Sequence, residues 1–162
     1  MYKTKINLGF TLIELLMVVA IIALIASVVL TALGNSRNSA SDASAKANLG
    51  AVRSQSELFF SNNNLSFLPA GGSTFSIATC PAYNASGTNM LSKDKIIADA
   101  IAEAVKQNKN GSSCYNSWTA WAVAVGLKSN ANTSWCVDSG GASKLVSSAP
   151  ATAINNSTFA CN

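Results

Sequence analysis

The sequence predicts an α+β fold, in which one long N-terminal helix packs on a small antiparallel sheet. Three observations lead there. From Phe10 to Leu33 the only polar residues are Thr11, Glu14, Ser27 and Thr31. Helical apolar spacing then continues to about Phe60, and no proline occurs until Pro69. The last third changes character, into short alternating apolar segments separated by Gly, Ser and Asn.

The apolar run is long enough to cross a bilayer as a helix, which needs about 20 residues. Lys3 and Lys5 precede it, placing the N-terminus in the cytoplasm and the C-terminal bulk outside. A plausible processing point, Gly9 to Phe10, lies before the run, whereas an ordinary secretory signal is cut after its apolar stretch. Ala26 and Ala32 resemble a late cleavage site, so residue pattern alone leaves that alternative open. Beyond the run, Ala45, Leu49, Val52 and Phe59 form one helical stripe, with Lys46, Arg53 and Glu57 off it. The spacing predicts a single helix from about Thr11 to about Phe60, roughly 75 Å long. Its weakest point in propensity is Gly34-Asn35-Ser36.

Residues 62–74 read as a loop by their Asn, Pro and Gly content. A second helix is expected over 92–110, capped by Ser92 and ended by Asn110-Gly111. Ile97, Ala100, Ile101, Ala104 and Val105 form its apolar stripe. Strands are expected at 117–127, with Trp121, Val123 and Val125 on one face and alanines on the other. Further strands follow at 134–138 and 143–147, joined through Ser139-Gly140-Gly141, with a fourth at 157–161.

Composition narrows the function classes. The 162 residues carry a formal charge of +4, with only 11% charged and 49% hydrophobic residues. Basic and acidic residues are mixed along the chain, so a pI near 9.0 is weak evidence for nucleic acid. There is no histidine, which removes the usual metal ligand and general base. No Ser, Cys or Lys has a histidine to activate it, and an enzyme is not expected. No cofactor and no metal are expected either.

The four cysteines, Cys80, Cys114, Cys136 and Cys161, lack the tight pairs of zinc sites. Beyond a membrane segment they read as two disulfides in an oxidising compartment. Four cysteines allow three pairings. Sequential pairing, Cys80–Cys114 and Cys136–Cys161, is expected. The first bridge would tie the post-helix loop to the sheet entrance, and the second would pin the C-terminal tail.

Glu14 is the one full charge in the apolar run. In isolation it reads as a helix-start carboxylate reaching the headgroups and favoured by the helix dipole. Residues 8–24, "LGFTLIELLMVVAIIAL", resemble the N-terminus of a type IV pilin or pseudopilin precursor. The resemblance covers about the first 30 residues; the remainder agrees in layout, a pilin-like head. It implies that residues 1–9 are a leader removed by a membrane prepilin peptidase, which cuts after Gly9 and methylates the new N-terminus, Phe10. It divides the rest into a transmembrane and filament-core helix (10–34), an amphipathic half (35–61) and a globular head (62–162). Mature subunits would pack their N-terminal helices into a fibre on an assembly platform. Glu14 would pair with the Phe10 amine of a neighbouring subunit or of its own, a register device in a low-dielectric core. Many relatives carry a proline where this chain has Thr31, so the helix is expected to stay continuous there.

The reading that follows is a structural subunit, a major pilin serving adhesion, motility or DNA uptake. The alternatives are a pseudopilin of a type II secretion system, or a minor pilin whose head binds DNA or a surface ligand. For the last, Trp118, Trp121 and Trp135 with Lys128 are the candidate surface, although core packing accounts for Trp121. Asp138-Ser-Gly-Gly reads as a hairpin turn rather than a calcium loop, since one carboxylate rarely suffices. Asp99 and Glu103, near Lys95 and Lys106, read as a solvated helix face. Asn84, Asn110 and Asn132 begin Asn-x-Ser triplets that could accept glycans.

Overall fold

The computed structural model describes residues 9–162, apart from the side chains of 31 and 32. Lys3, Lys5 and the rest of the expected leader up to residue 8 lie outside the described residues. The chain divides into two compact units, Met1–Arg37 and Asn38–Asn162.

In the first unit, α1 (Leu12–Asn62) begins at Leu12. Each large apolar side chain described between Phe10 and Leu33 is exposed. An 18-residue stretch reaches a mean hydropathy of 3.0 with none of it buried, which fits a membrane-anchored precursor. Ser27 satisfies its hydroxyl on the Leu24 carbonyl at 2.8 Å, as a polar group in an apolar helix must. Gly34, Asn35 and Ser36 remain helical.

In the second unit, α1 buries Asp42, Ala45, Leu49, Val52 and Ser56, one residue per turn along a single stripe. The sheet is five-stranded and antiparallel, in the order β1 (Phe75–Ala78), β2 (Ser112–Asn116), β3 (Trp121–Gly126), β4 (Ser134–Asp138) and β5 (Ser143–Val146). The α+β class therefore holds. Central strand β3 is buried along its whole length because both of its faces are covered. Trp121, Val123 and Val125 meet Leu49 and Val52 of α1 and Ile97 and Ile101 of α3 (Lys95–Asn108). On the opposite face, Ala122 and Ala124 meet Ala153 and Ile154, next to the short α4 (Pro150–Ala153). The alanines are small because backbone and tail approach closely on that side.

Several expectations need correction. The helix expected over 92–110 is two helices, α2 (Met90–Lys93) and α3. Ser92 caps neither. Asn89 caps α2, and Asp94 breaks the run in extended conformation and caps α3 through its carboxylate to the Ile96 and Ile97 amides. Lys109, left-handed at φ 61°, ends α3 one residue before Asn110. Residues 117–120 are a tight turn, not the start of β3: Ser117 N–H donates to the Ala120 carbonyl at 2.7 Å.

The strand expected at 157–161 reduces to a single bridge between Ile154 and Cys161. The Asn155 side chain accepts the amides of Ser157 and Thr158, coiling that stretch into a turn with Phe159 at φ 55°. Strands β1 and β2 were not anticipated. Their sequences, FSIA and SSCYN, are short and mix polar with apolar residues.

Candidate functional site

At the N-terminus, Gly9, Phe10 and Thr11 precede the helix in non-helical backbone, and Gly9 and Phe10 are exposed. Thr11 and Glu14 form a reciprocal cap. The Glu14 amide donates to Thr11 Oγ1 at 3.3 Å, while the Thr11 amide donates to Glu14 Oε2 at 2.9 Å. The Thr11 hydroxyl adds a second bond to Oε2 at 2.7 Å. This satisfies two helix-start amides that would otherwise lack partners in an apolar setting. Glu14 Oε1 has no hydrogen bond among the described residues, so the carboxylate is oriented by one oxygen and open at the other.

The Thr-x-x-Glu signature of this cap stands in the sequence, yet the role of Thr11 was missed there. Phe10 carries a peptide nitrogen while Gly9 is attached, so the amine expected to pair with Glu14 would arise only on a cut after Gly9.

In the head, Cys80 is bridged to Cys114 and Cys136 to Cys161. Asp138 does not form a cation loop. Its Oδ1 accepts the Ala142 amide at 2.9 Å and closes the β4–β5 turn, and its Oδ2 accepts the Cys161 amide at 2.9 Å. Arg53 of α1 donates to the Gly141 carbonyl of the same turn at 2.7 Å. Asp42 accepts the backbone amides of Lys128 and Ser129 at 2.6 and 3.2 Å, tying α1 to the β3–β4 loop. Among the described residues, no three potential ligands from His, Cys, Asp and Glu come together as a metal site.

The three tryptophans do not share one surface. Trp121 is fully buried, Trp135 is half-buried with the Lys46 ammonium 4.7 Å above its ring, and Trp118 is 58% exposed. Lys128 sits by Asp42, while the Trp118 carbonyl accepts the Phe67 amide just beyond the end of α1. Trp118 and Lys128 are therefore at opposite ends of β3 and do not form a joint patch.

Lys95 pairs with Asp99, and Glu103 with Lys106 and Gln107, on the exposed side of α3. The Asp99 hydrogen bond, reinforced by its charge, holds the Lys95 ammonium above its ordinary pKa. The Gln107 hydrogen bond, then the Lys106 charge, hold Glu103 below the usual carboxylate value. Of the Asn-x-Ser residues, Asn84 and Asn132 are exposed, whereas the Asn110 amide is engaged on the Leu127 carbonyl.

Compared with known families, residues 5–30 match the prokaryotic N-terminal methylation motif. No curated protein and no solved structure matches the chain.

Proposed function

Because the chain carries the N-terminal signal of type IV pilins and pseudopilins, we propose that it is the major structural subunit of a type IV pilus-like extracellular filament. The observation that carries this reading is the methylation motif in front of an apolar helix segment that its own chain leaves unburied. In the precursor that segment is the membrane anchor. After a prepilin peptidase cuts between Gly9 and Phe10 and the new amine is methylated, it becomes the core of the fibre. The exposed, non-helical Gly9–Phe10 link just ahead of the Thr11–Glu14 cap suits such a cut.

Assembly exchanges lipid contacts for helix contacts, so apolar burial is no strong driver. Charge pairing supplies the register instead. Glu14 receives the Phe10 amine of a neighbouring subunit at its open oxygen, and a wrong stagger leaves two charges unpaired in a low-dielectric core. The head forms the fibre exterior, where its two disulfides resist unravelling under tension. Fibres sheared from the cell surface provide the test. This chain as their principal protein supports a major pilin, whereas recovery only from the cell envelope contradicts it and favours a pseudopilin.

A further inference from the structure

Trp118 is the conspicuous exception to the packing of the head. The chain hides Trp121 and covers Trp135 with Lys46, yet leaves Trp118 more than half exposed at the tip of the β2–β3 turn. Its backbone is fixed from both sides. The Ser117 hydroxyl accepts the Ala120 amide at 3.1 Å across the turn, and the Trp118 carbonyl accepts the Phe67 amide at 3.0 Å. Phe67 in turn is buried against Phe60, ring centroids 4.5 Å apart, and against Trp121. The indole thus stands on a rigid base.

Beside it lies a pocket of about 180 Å³, lined by Trp118, Asn63, Asn64, Ser66, Leu68 and Pro69 among others. None of its lining residues is charged. Asn63 is held by its Nδ2 on the Ser66 and Leu68 carbonyls, which leaves its Oδ1 without an intramolecular partner among the described residues. Ser66 closes the floor through mutual bonds with Leu68 at 3.0 Å. The exposed Asn64 amide makes no hydrogen bond among the described residues.

We propose that this pocket is a recognition subsite for one ring of a neutral sugar. A pyranose has an apolar C–H face, whose weakly positive hydrogens suit the negative face of an indole ring. Its hydroxyl or acetamido edge needs donors and acceptors: Asn63, held through its Nδ2, offers a fixed Oδ1, and the exposed Asn64 offers its amide. The absence of a cation in the lining disfavours phosphate-rich ligands, and Lys128 is at the far end of β3. The pocket is also well below the size of a typical drug-like or peptide site. Because the loop is fixed before binding, little freedom is lost when the ring docks.

Saturation-transfer NMR on the full chain in detergent micelles tests the proposal, with chitotriose and cellotriose as probes. Signal is read on the sugar protons and so does not depend on indole fluorescence. The expected result is transfer concentrated on the C–H face of one ring for at least one probe. It is lost in Trp118→Ala, retained in Lys128→Ala, and weakened about three- to tenfold in Asn64→Ala. Unchanged thermal unfolding of the Trp118→Ala chain shows that the loss is local. Absence of transfer from both sugars overturns the proposal, as does transfer that survives Trp118→Ala. So does Trp118-dependent binding of an oligothymidylate or of a second copy of this chain without sugar binding. Since no fibre is needed, failure here leaves the filament reading untouched.

Discussion

Asp138 and Cys161 are joined by a 2.9 Å hydrogen bond from the Cys161 amide to Asp138 Oδ2, beside the Cys136–Cys161 disulfide. The last residues of the chain are therefore held on β4 twice, once covalently and once by a buried carboxylate. That tail covers the alanine face of β3, which would otherwise be bare. The aspartate expected in a hairpin turn closes that turn and also anchors the tail.

Removing the covalent tie should expose this arrangement. Cys136→Ala with Cys161→Ala is expected to destabilise the head by about 3 kcal/mol, mainly by freeing the unfolded chain. Asp138→Ala leaves the amides of Ala142 and Cys161 without their acceptor and is expected to cost about 1–3 kcal/mol per buried group. Thermal unfolding of the full chain in detergent checks both. An unchanged midpoint in the double cysteine variant would contradict the staple role.

Asp42 should act as a clasp between α1 and the β3–β4 loop. Its carboxylate holds the Lys128 and Ser129 amides, although both of those residues are exposed. In Asp42→Ala these two amides are expected to lose their hydrogen-exchange protection, while the amides of β3 keep theirs. Asp42→Asn, which retains one acceptor oxygen, should fall between. Equal protection in all three proteins would show that the clasp contributes nothing.

Glu14→Ala is expected to leave the chain in the membrane and processed at Gly9, but with fibre yield sharply reduced. Thr11→Val keeps the volume of the cap but removes its hydroxyl, so the carboxylate loses one of its two orienting bonds and keeps the one from the Thr11 amide. An intermediate yield is expected from it. Membrane fractionation and sheared-fibre recovery, run side by side, separate anchoring from assembly. Normal fibres from Glu14→Ala would sink the register role of this residue.

The exposed face of α3 should respond to pH at both extremes. Lys95 is held above its ordinary value of 10.5, so its contribution is complete below that value and is lost as pH rises through the raised one. Glu103 is held below 4.5, so its contribution is complete above that value and is lost as pH falls through the lowered one. Both groups are solvent-exposed and the effects are small. Protection of the α3 amides, taken relative to their intrinsic exchange rates at each pH, should therefore be level between these limits. Lys95→Met should abolish the alkaline limb and Glu103→Gln the acidic one; limbs that persist would place their origin elsewhere.

The parts legible in the sequence were those written in local pattern. The apolar run, the stripe of Ala45, Leu49 and Val52, the β4–β5 hairpin and the alternation along β3 follow from periodicity. Asp94 shows where such reading stops. Periodicity ran straight through it, although an aspartate before Lys95-Ile96-Ile97 is itself a helix-start signal. Strand β2 has no legible alternation, because Ser113, Cys114, Tyr115 and Asn116 are all buried and Cys114 and Tyr115 enter the cores on opposite faces, so burial came from tertiary cover rather than from its own pattern. Asp42 and Asp138 hold backbone amides far along the chain, and a single acid has no local signature for such a partner. Thr11 differs, since its cap signature is local and complete.

On the proposed function, residues 1–9 are a leader and Phe10 begins the mature subunit. Mass spectrometry of the N-terminal peptide from purified fibres tests it most directly. The expected peptide starts at Phe10 and carries one methyl group on its amine. A chain that retains the residues before Phe10, or one that begins after Ala26 or Ala32, would contradict it.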